Sequence, residues 1–266
     1  MKNSGERNVA IVIHGAFQSN KNVESAALVL GDLGVKKVHT PDLAGHGAER
    51  DIEISGKNLA DRLAEELLSR REIKESLNGN RIDRVTLIGH SLGASVALSV
   101  AKQVIAQSES VNLILVEPIL WLGKECDGQK SLRNNLEKYM PQTNTQIEIT
   151  DYLRSLLKGD NSVSNEFGLL ADLAKSNKTW ITLIRGGRKT VQSKKRFEVE
   201  TSEGVITINA KGDEIGSLVP NEYCSRELFD NQLTIKEAGH NPFLYTSFYK
   251  WLRLLLNQSE SIDESY

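Results

Sequence analysis

The sequence predicts an α/β protein with a mostly parallel central sheet and helices on both faces. Three observations predict it. Short, almost continuously apolar runs (Val9–Ile13, Val111–Val116, Thr179–Ile184) read as strands covered on both sides. Longer stretches with apolar residues three or four positions apart alternate with those runs. Glycine-bearing segments such as His14-Gly15 and Gly89-His90-Ser91-Leu92-Gly93 stand where a strand would hand over to a helix.

The elements follow in order. Val9–Ile13 is a strand opening into His14-Gly15, and residues 20–34 form a helix closed by glycine. Val35–Val38 is a short strand leading into Thr40-Pro41-Asp42-Leu43-Ala44-Gly45-His46-Gly47. Residues 55–77 carry one helical stripe, with Leu59, Leu63 and Leu67 a turn apart and charges opposite. Arg84–Ile88 is a strand, Ala94–Ile105 an apolar helix, and Val111–Val116 a strand ending at Glu117-Pro118. Right-handed crossovers put these strands in one parallel sheet. Residues 119–178 break the rhythm, being polar and helical in patches, and read as an insertion over one sheet edge. Thr179–Ile184 returns to the sheet. Phe197–Thr201 and Val205–Asn209 alternate around Ser202-Glu203-Gly204 as a hairpin. A helix over Asn221–Phe229, a strand at Leu233–Ile235 and a helix over Thr246–Asn257 complete the chain. The expected organisation is a core of 1–118 and 179–257, a lid of 119–178, and a disordered acidic tail of 258–266.

Composition narrows the class. The chain has 266 residues, 39% hydrophobic and 26% charged, enough to bury a sizeable core. Its net charge of −2 offers no field for nucleic acid or an anionic membrane. Apolar runs are far too short to span a bilayer, and the first residues lack a signal-peptide pattern, so a cytoplasmic protein is expected. Cys126 and Cys224 match neither a zinc nor a redox spacing, and no metal-ligand cluster or phosphate-binding G-x-G-x-x-G stands out. No cofactor is expected.

The chemistry points to Gly89-His90-Ser91-Leu92-Gly93, a G-x-S-x-G between a strand and a helix. A sharp turn there forces the serine into a strained conformation and exposes its hydroxyl at a helix N-terminus, whose partial positive charge favours a developing anion. Glycines are needed on either side because side chains would collide across the turn. Together with His14-Gly15-Ala16-Phe17, Pro41-Asp42-Leu43-Ala44-Gly45-His46-Gly47 and Ala238-Gly239-His240, this motif makes the chain resemble the α/β-hydrolase fold superfamily over nearly its whole length, with most likeness to compact serine esterases and hydroxynitrile-lyase-like members.

That resemblance implies Ser91 as nucleophile, His240 as general base, and an oxyanion hole from the backbone N–H of Leu92 with that of Ala16 or Phe17. His14 and His90 flank turn glycines and are expected to support the backbone, whereas His39 and His46 read as surface or loop residues. The acid departs from the family pattern, because Arg185-Gly186-Gly187-Arg188 has no carboxylate after the Thr179–Ile184 strand. Glu117, at the tip of the preceding strand, is favoured, and Asp213 is the alternative. Asp213 prevails if Val205–Asn209 belongs to the sheet, and Glu117 if that run is a surface hairpin.

The insertion would cover the serine, with Phe17, Trp121, Tyr139 and Tyr152 as pocket residues and an apolar acyl or aromatic group as ligand. The basic run from Arg185 to Arg196 could guide a carrier-linked acyl group, a solvated loop being its plainer role. The expected function is hydrolysis of a carboxylic ester or thioester through an acyl-enzyme. The alternatives are an acyltransferase or cyclase on the same triad, a lyase, and a degenerate hydrolase fold kept as a binding module.

Overall fold

The computed structural model describes residues 7–56, 58–78, 82–119, 127–158, 166–187, 195–201, 204–210, 218 and 228–261. Six parallel strands form the central sheet: β1 (Asn8–Ile13), β2 (Lys37–His39), β3 (Ile82–His90), β4 (Ser108–Val116), β5 (Thr179–Gly186) and, after a hairpin, β8 (Asn231–Ile235), in the order β2-β1-β3-β4-β5-β8. The hairpin strands β6 (Lys195–Thr201) and β7 (Gly204–Ala210) pair antiparallel with each other and stand outside that sheet.

Alternation along the strands divides the core in two. Ile11, Ile13, Leu87, Leu113 and Leu183 face one side, where they meet α2 (Leu59–Ser69), α3 (Arg71–Leu77) and α4 (Leu92–Val104). Val12, Ile88, Ile114 and Ile184 face the other, against α1 (Glu24–Asp32) and α8 (Thr246–Ser261). Helix α4 is sunk in the core, every residue from Leu92 to Ala101 being buried, its two serines included. Asp32 of α1 and Arg253 of α8 join in an ion pair of 2.6 Å.

Three differences from the sequence pattern have physical causes. The stripe over 55–77 is two helices, broken where Arg70 turns extended (φ −64°, ψ 136°) and reaches back to Glu66 at 2.7 Å and Glu49 at 3.7 Å. Strand β2 lies later than expected because Lys37–His39 are the residues that pair with Val9–Ile11. Helix α8 continues to Ser261, so residues 258–261 are helical rather than disordered, and 262–266 lie outside the described residues. The helix expected over Asn221–Phe229 falls mostly outside them too. Among the described residues no helix is long and apolar enough to cross a membrane.

Between β4 and β5 run α5 (Asp127–Lys138), α6 (Asn144–Leu157) and α7 (Glu166–Ala174). The start of α6 is fastened to the loop after β2. Gln146 donates to the Gly45 carbonyl (2.8 Å), Thr145 donates to the Ile52 carbonyl (2.9 Å) and accepts from the Ile54 amide (2.8 Å), and Asn144 donates to Glu53 (2.8 Å). Deeper in, the Glu166 carboxyl accepts from the Tyr152 hydroxyl and hydrogen-bonds Ser95 of α4, while Ser99, one turn on, donates to Asp61 of α2 at 2.7 Å.

Burial, with the Asp61 charge adding to it, raises the pKa of Glu166 to about 7. The folded chain therefore holds a proton that the unfolded chain releases above its ordinary value of 4.5. The stabilisation is complete below 4.5 and is lost as the pH rises from there through about 7, amounting to roughly 3 kcal/mol. Urea unfolding at pH 5 and pH 8 measures it: Glu166→Gln should remove that part of the fall in stability, and an unchanged pH dependence in the variant would refute the assignment.

Candidate active site

Ser91 sits between β3 and α4 with φ 53° and ψ −117°, a left-handed conformation that costs an L-residue on the order of 1–3 kcal/mol. The turn is this sharp because chain segments meet without room for side chains. A Cβ on Gly89 would lie 2.3 Å from the Gly93 carbonyl oxygen, and one on Gly93 would lie 2.4 Å from the His14 carbonyl oxygen. Leu92 opens α4, so its N–H is among the helix's unpaired first donors beside the serine.

His240 follows β8 on the Ala238-Gly239 turn and is buried. Its neighbour is His90, whose ring lies 4.8 Å from it and whose Nε2 faces the His240 carbonyl at 2.7 Å. The other nitrogen of His90 faces Gln18 Oε1 at 2.9 Å, an oxygen that also accepts from the Gly15 amide. Burial, and after it the neighbouring His240, lowers the His90 pKa to about 3.

Glu117 occupies the tip of β4, fully buried, with φ 47°. The Gly186 amide donates to Oε1 at 2.5 Å and the Leu218 amide donates to Oε2 at 2.6 Å. Oε2 lies 3.6 Å from His240 Nδ1, a nitrogen with no shorter polar contact among the described residues. A buried carboxylate with two backbone donors is satisfied as an anion and faces the imidazole. Asp213 lies outside the described residues, and the hairpin before it stands apart from the sheet.

The loop after β1 differs from expectation. The Phe17 amide (φ 60°) donates to His46 Nε2 at 3.0 Å, so it is already engaged and not free for the oxyanion role expected of Ala16 or Phe17. His46 is accordingly buried, not a surface residue, and its pKa is lowered by that burial. Its place in a Gly-His-Gly loop gives no sign of burial; only the packed loop does. His14 supports the backbone as expected, accepting from the Leu43 amide at 2.9 Å. His39 is half-buried and bonds Ser76 at 2.9 Å.

Of the expected pocket residues, Phe17 and Tyr139 stack with centroids 3.8 Å apart, both half-buried. Tyr152 is instead buried as a strut on Glu166, and Trp121 lies outside the described residues, as do residues 188–194 of the basic run. Among the described residues no three His, Cys, Asp or Glu are grouped to hold a metal ion.

The profile of the Alpha/beta hydrolase family matches residues 10–246. The chain is similar to a probable alcohol acetyltransferase of Wickerhamomyces anomalus, 26% identical over 163 residues that make up 61% of this chain and 38% of that protein, so it spans well under half of the relative's length. Two solved structures share the fold. A lipase-esterase related protein of Clostridium acetobutylicum has 18% identity and a TM-score of 0.51, covering 96% of this chain and 95% of the other. A meta-cleavage product hydrolase of Pseudomonas fluorescens has 14% identity and a TM-score of 0.51, covering 96% and 92%.

The strain at Ser91 is testable by itself. Its φ and ψ mirror an extended conformation that glycine enters freely, so Ser91→Gly should stabilise the fold by about 1 kcal/mol after the cost of a more flexible unfolded chain. Gly89→Ala should destabilise it by several times that. Chemical denaturation checks both, and a destabilised Ser91→Gly would show that the turn is not strained.

Proposed function

This chain belongs to the alpha/beta hydrolase family, and we propose that it is a serine hydrolase of carboxylic esters or thioesters. The observation that carries the reading is the strained turn at Ser91, beside a buried Glu117–His240 pair. In this mechanism Ser91 Oγ attacks the acyl carbonyl carbon while His240 Nε2 takes the hydroxyl proton. The carbonyl oxygen becomes an oxyanion received by the N–H groups of Leu92 and Ala16; one such donor is worth on the order of 3 kcal/mol. Collapse breaks the bond to the alcohol or thiol, which leaves with the proton from His240. Water, deprotonated by the same imidazole, then releases the acid and restores the serine. Glu117 fixes the imidazole with its proton on Nδ1 and stabilises the imidazolium that forms.

Helices α5–α7 act as a lid in this reading, and the Phe17–Tyr139 stack forms an apolar wall suited to an acyl or aryl group. The likeness to an alcohol acetyltransferase favours a second outcome at the same serine, in which an alcohol replaces water as acyl acceptor.

Intact-mass measurement after treatment with a fluorophosphonate probe tests the reading. One adduct is expected on the wild type, none on Ser91→Ala, and labelling slowed by at least tenfold in His240→Ala. Glu117→Gln should be slowed and Asp213→Asn should match the wild type. The absence of an adduct on the folded wild type would sink the serine mechanism, and a slow Asp213→Asn with a fast Glu117→Gln would transfer the acid's role.

A further inference from the structure

Two buried histidines make the loop after β1 and the loop after β2 exchange hydrogen bonds. His14, in the first loop, accepts the Leu43 amide of the second at Nε2 (2.9 Å), so its proton is on Nδ1, which donates to its own loop at the Gly15 carbonyl (2.7 Å). His46, in the second loop, does the converse: Nε2 accepts the Phe17 amide of the first (3.0 Å), and Nδ1–H donates to the Ala44 carbonyl (3.0 Å). The two rings meet edge to face at 5.2 Å. Asp42 anchors the second loop, taking the Asn20 amide at 2.7 Å and the Ala48 amide at 2.8 Å, and lies 3.8 Å from His14 Nε2.

Acceptance by both rings requires that both be neutral. Burial keeps them so, lowering His14 to about 4 and His46 below its ordinary value. The charged groups that bear on them are Asp42 on both rings and Arg70 on His14, with Arg70 itself engaged by Glu66 and Glu49.

We propose that His46, locked in this exchange with His14, is a positioning residue that holds the Gly15–Phe17 turn so that the Ala16 N–H, and not the Phe17 N–H, is presented to the reacting carbonyl oxygen. The proposal rests on the serine-hydrolase reading through Ala16. Phe17 is held at positive φ, which an aromatic residue leaves once its amide loses its acceptor. The Ala16–Phe17 peptide would then turn over and carry the neighbouring Ala16 amide with it. The tie also includes the lid, because the Phe17 ring stacks on Tyr139, the Tyr139 hydroxyl donates to Gln146 (3.1 Å), and Gln146 donates to the carbonyl of Gly45, the residue before His46. Phe17, His46, Gln146 and Tyr139 thus close a ring of contacts around one turn.

The test compares His46→Leu, which fills the site without an acceptor, with His46→Gln, whose Oε1 can accept the Phe17 amide. The readout is fluorophosphonate labelling of Ser91, separated into the maximal rate and the half-saturating probe concentration, beside thermal midpoints. His46→Leu should lose at least tenfold in maximal rate with the half-saturating concentration within about twofold, and His46→Gln should recover most of the loss. If His46→Leu does not fold, His46→Ser, too short to reach Phe17, replaces it in the same comparison. Equal rates in wild type and the acceptor-less variant, or equal losses in it and His46→Gln, would overturn the positioning role while leaving the labelled wild type, and so the serine mechanism, intact. An unlabelled wild type would overturn that mechanism and the positioning role together.

Discussion

The close approach of three backbone segments at Gly89 and Gly93, with Gly15 against the side chains beside them, is the constraint from which the rest of the site follows. A Cβ at Gly93 would come within 2.5 Å of the Ile13 carbonyl oxygen, and one at Gly15 within 3.1 Å of the Ser91 Cβ. The end of β1, the end of β3 and the start of α4 therefore occupy nearly one place. That proximity brings the Ser91 side chain, the first turn of α4 and the loop after β1 around one small volume. It also sinks α4 between the sheet, α2 and α7, where its residues are apolar except for Ser95 and Ser99, which are paired with Glu166 and Asp61.

A second regularity lies in the register. His90 of β3 is opposite Val116 of β4, so Ser91 and Glu117 are the residues immediately beyond the same rung of the parallel ladder. Both have positive φ, and Ser91 still bonds back to the Val116 carbonyl at 3.0 Å while Glu117 bonds to the Ile184 carbonyl at 2.8 Å. Two strained residues at adjacent strand tips are over-determined by the strands beneath them, which is how such conformations persist. The strain turns both side chains out of the strand direction, one to become a helix start and the other to point at His240. His14, His46 and His90 are each pushed below the ordinary imidazole pKa, chiefly by burial.

What the sequence revealed and what it hid divide along physical lines. Alternation of apolar runs with helical stripes depends on local chemistry, so the parallel sheet, its two-sided core and the turn at Ser91 could be read directly. Glu117 against Asp213 could not be decided by pattern alone, because Val205–Asn209 alternates as a half-buried sheet strand would, and only pairing shows that it joins β6 instead of β8. His46 reads as a loop residue because nothing local distinguishes an exposed Gly-His-Gly from one folded over a neighbouring loop. Glu166 and Tyr152 were hidden for the same reason: their partners, each other and Ser95, come from three separate helices. The break at Arg70 had no glycine or proline to mark it and depends on carboxylates at positions 49 and 66.

These tertiary ties bear on how far helices α5–α7 can move. Helix α6 is bonded at its first turn to the loop after β2, a Cβ on Gly45 would come within 2.8 Å of Thr145, and the same helix is joined by Tyr152 through Glu166 to α4. A helix held at its first turn and again at Tyr152 cannot swing freely without breaking several of these hydrogen bonds, each of which leaves an unpaired polar group costing about 1–3 kcal/mol. The half-buried Tyr139, just past the end of α5, is held to the same helix by its hydroxyl on Gln146, and the exposed Met140 follows it. Because Tyr139 rests on Phe17, any displacement there is felt by the turn that carries Ala16. Helices α5 and α6 and the loop after β1 are, by this route, mechanically coupled.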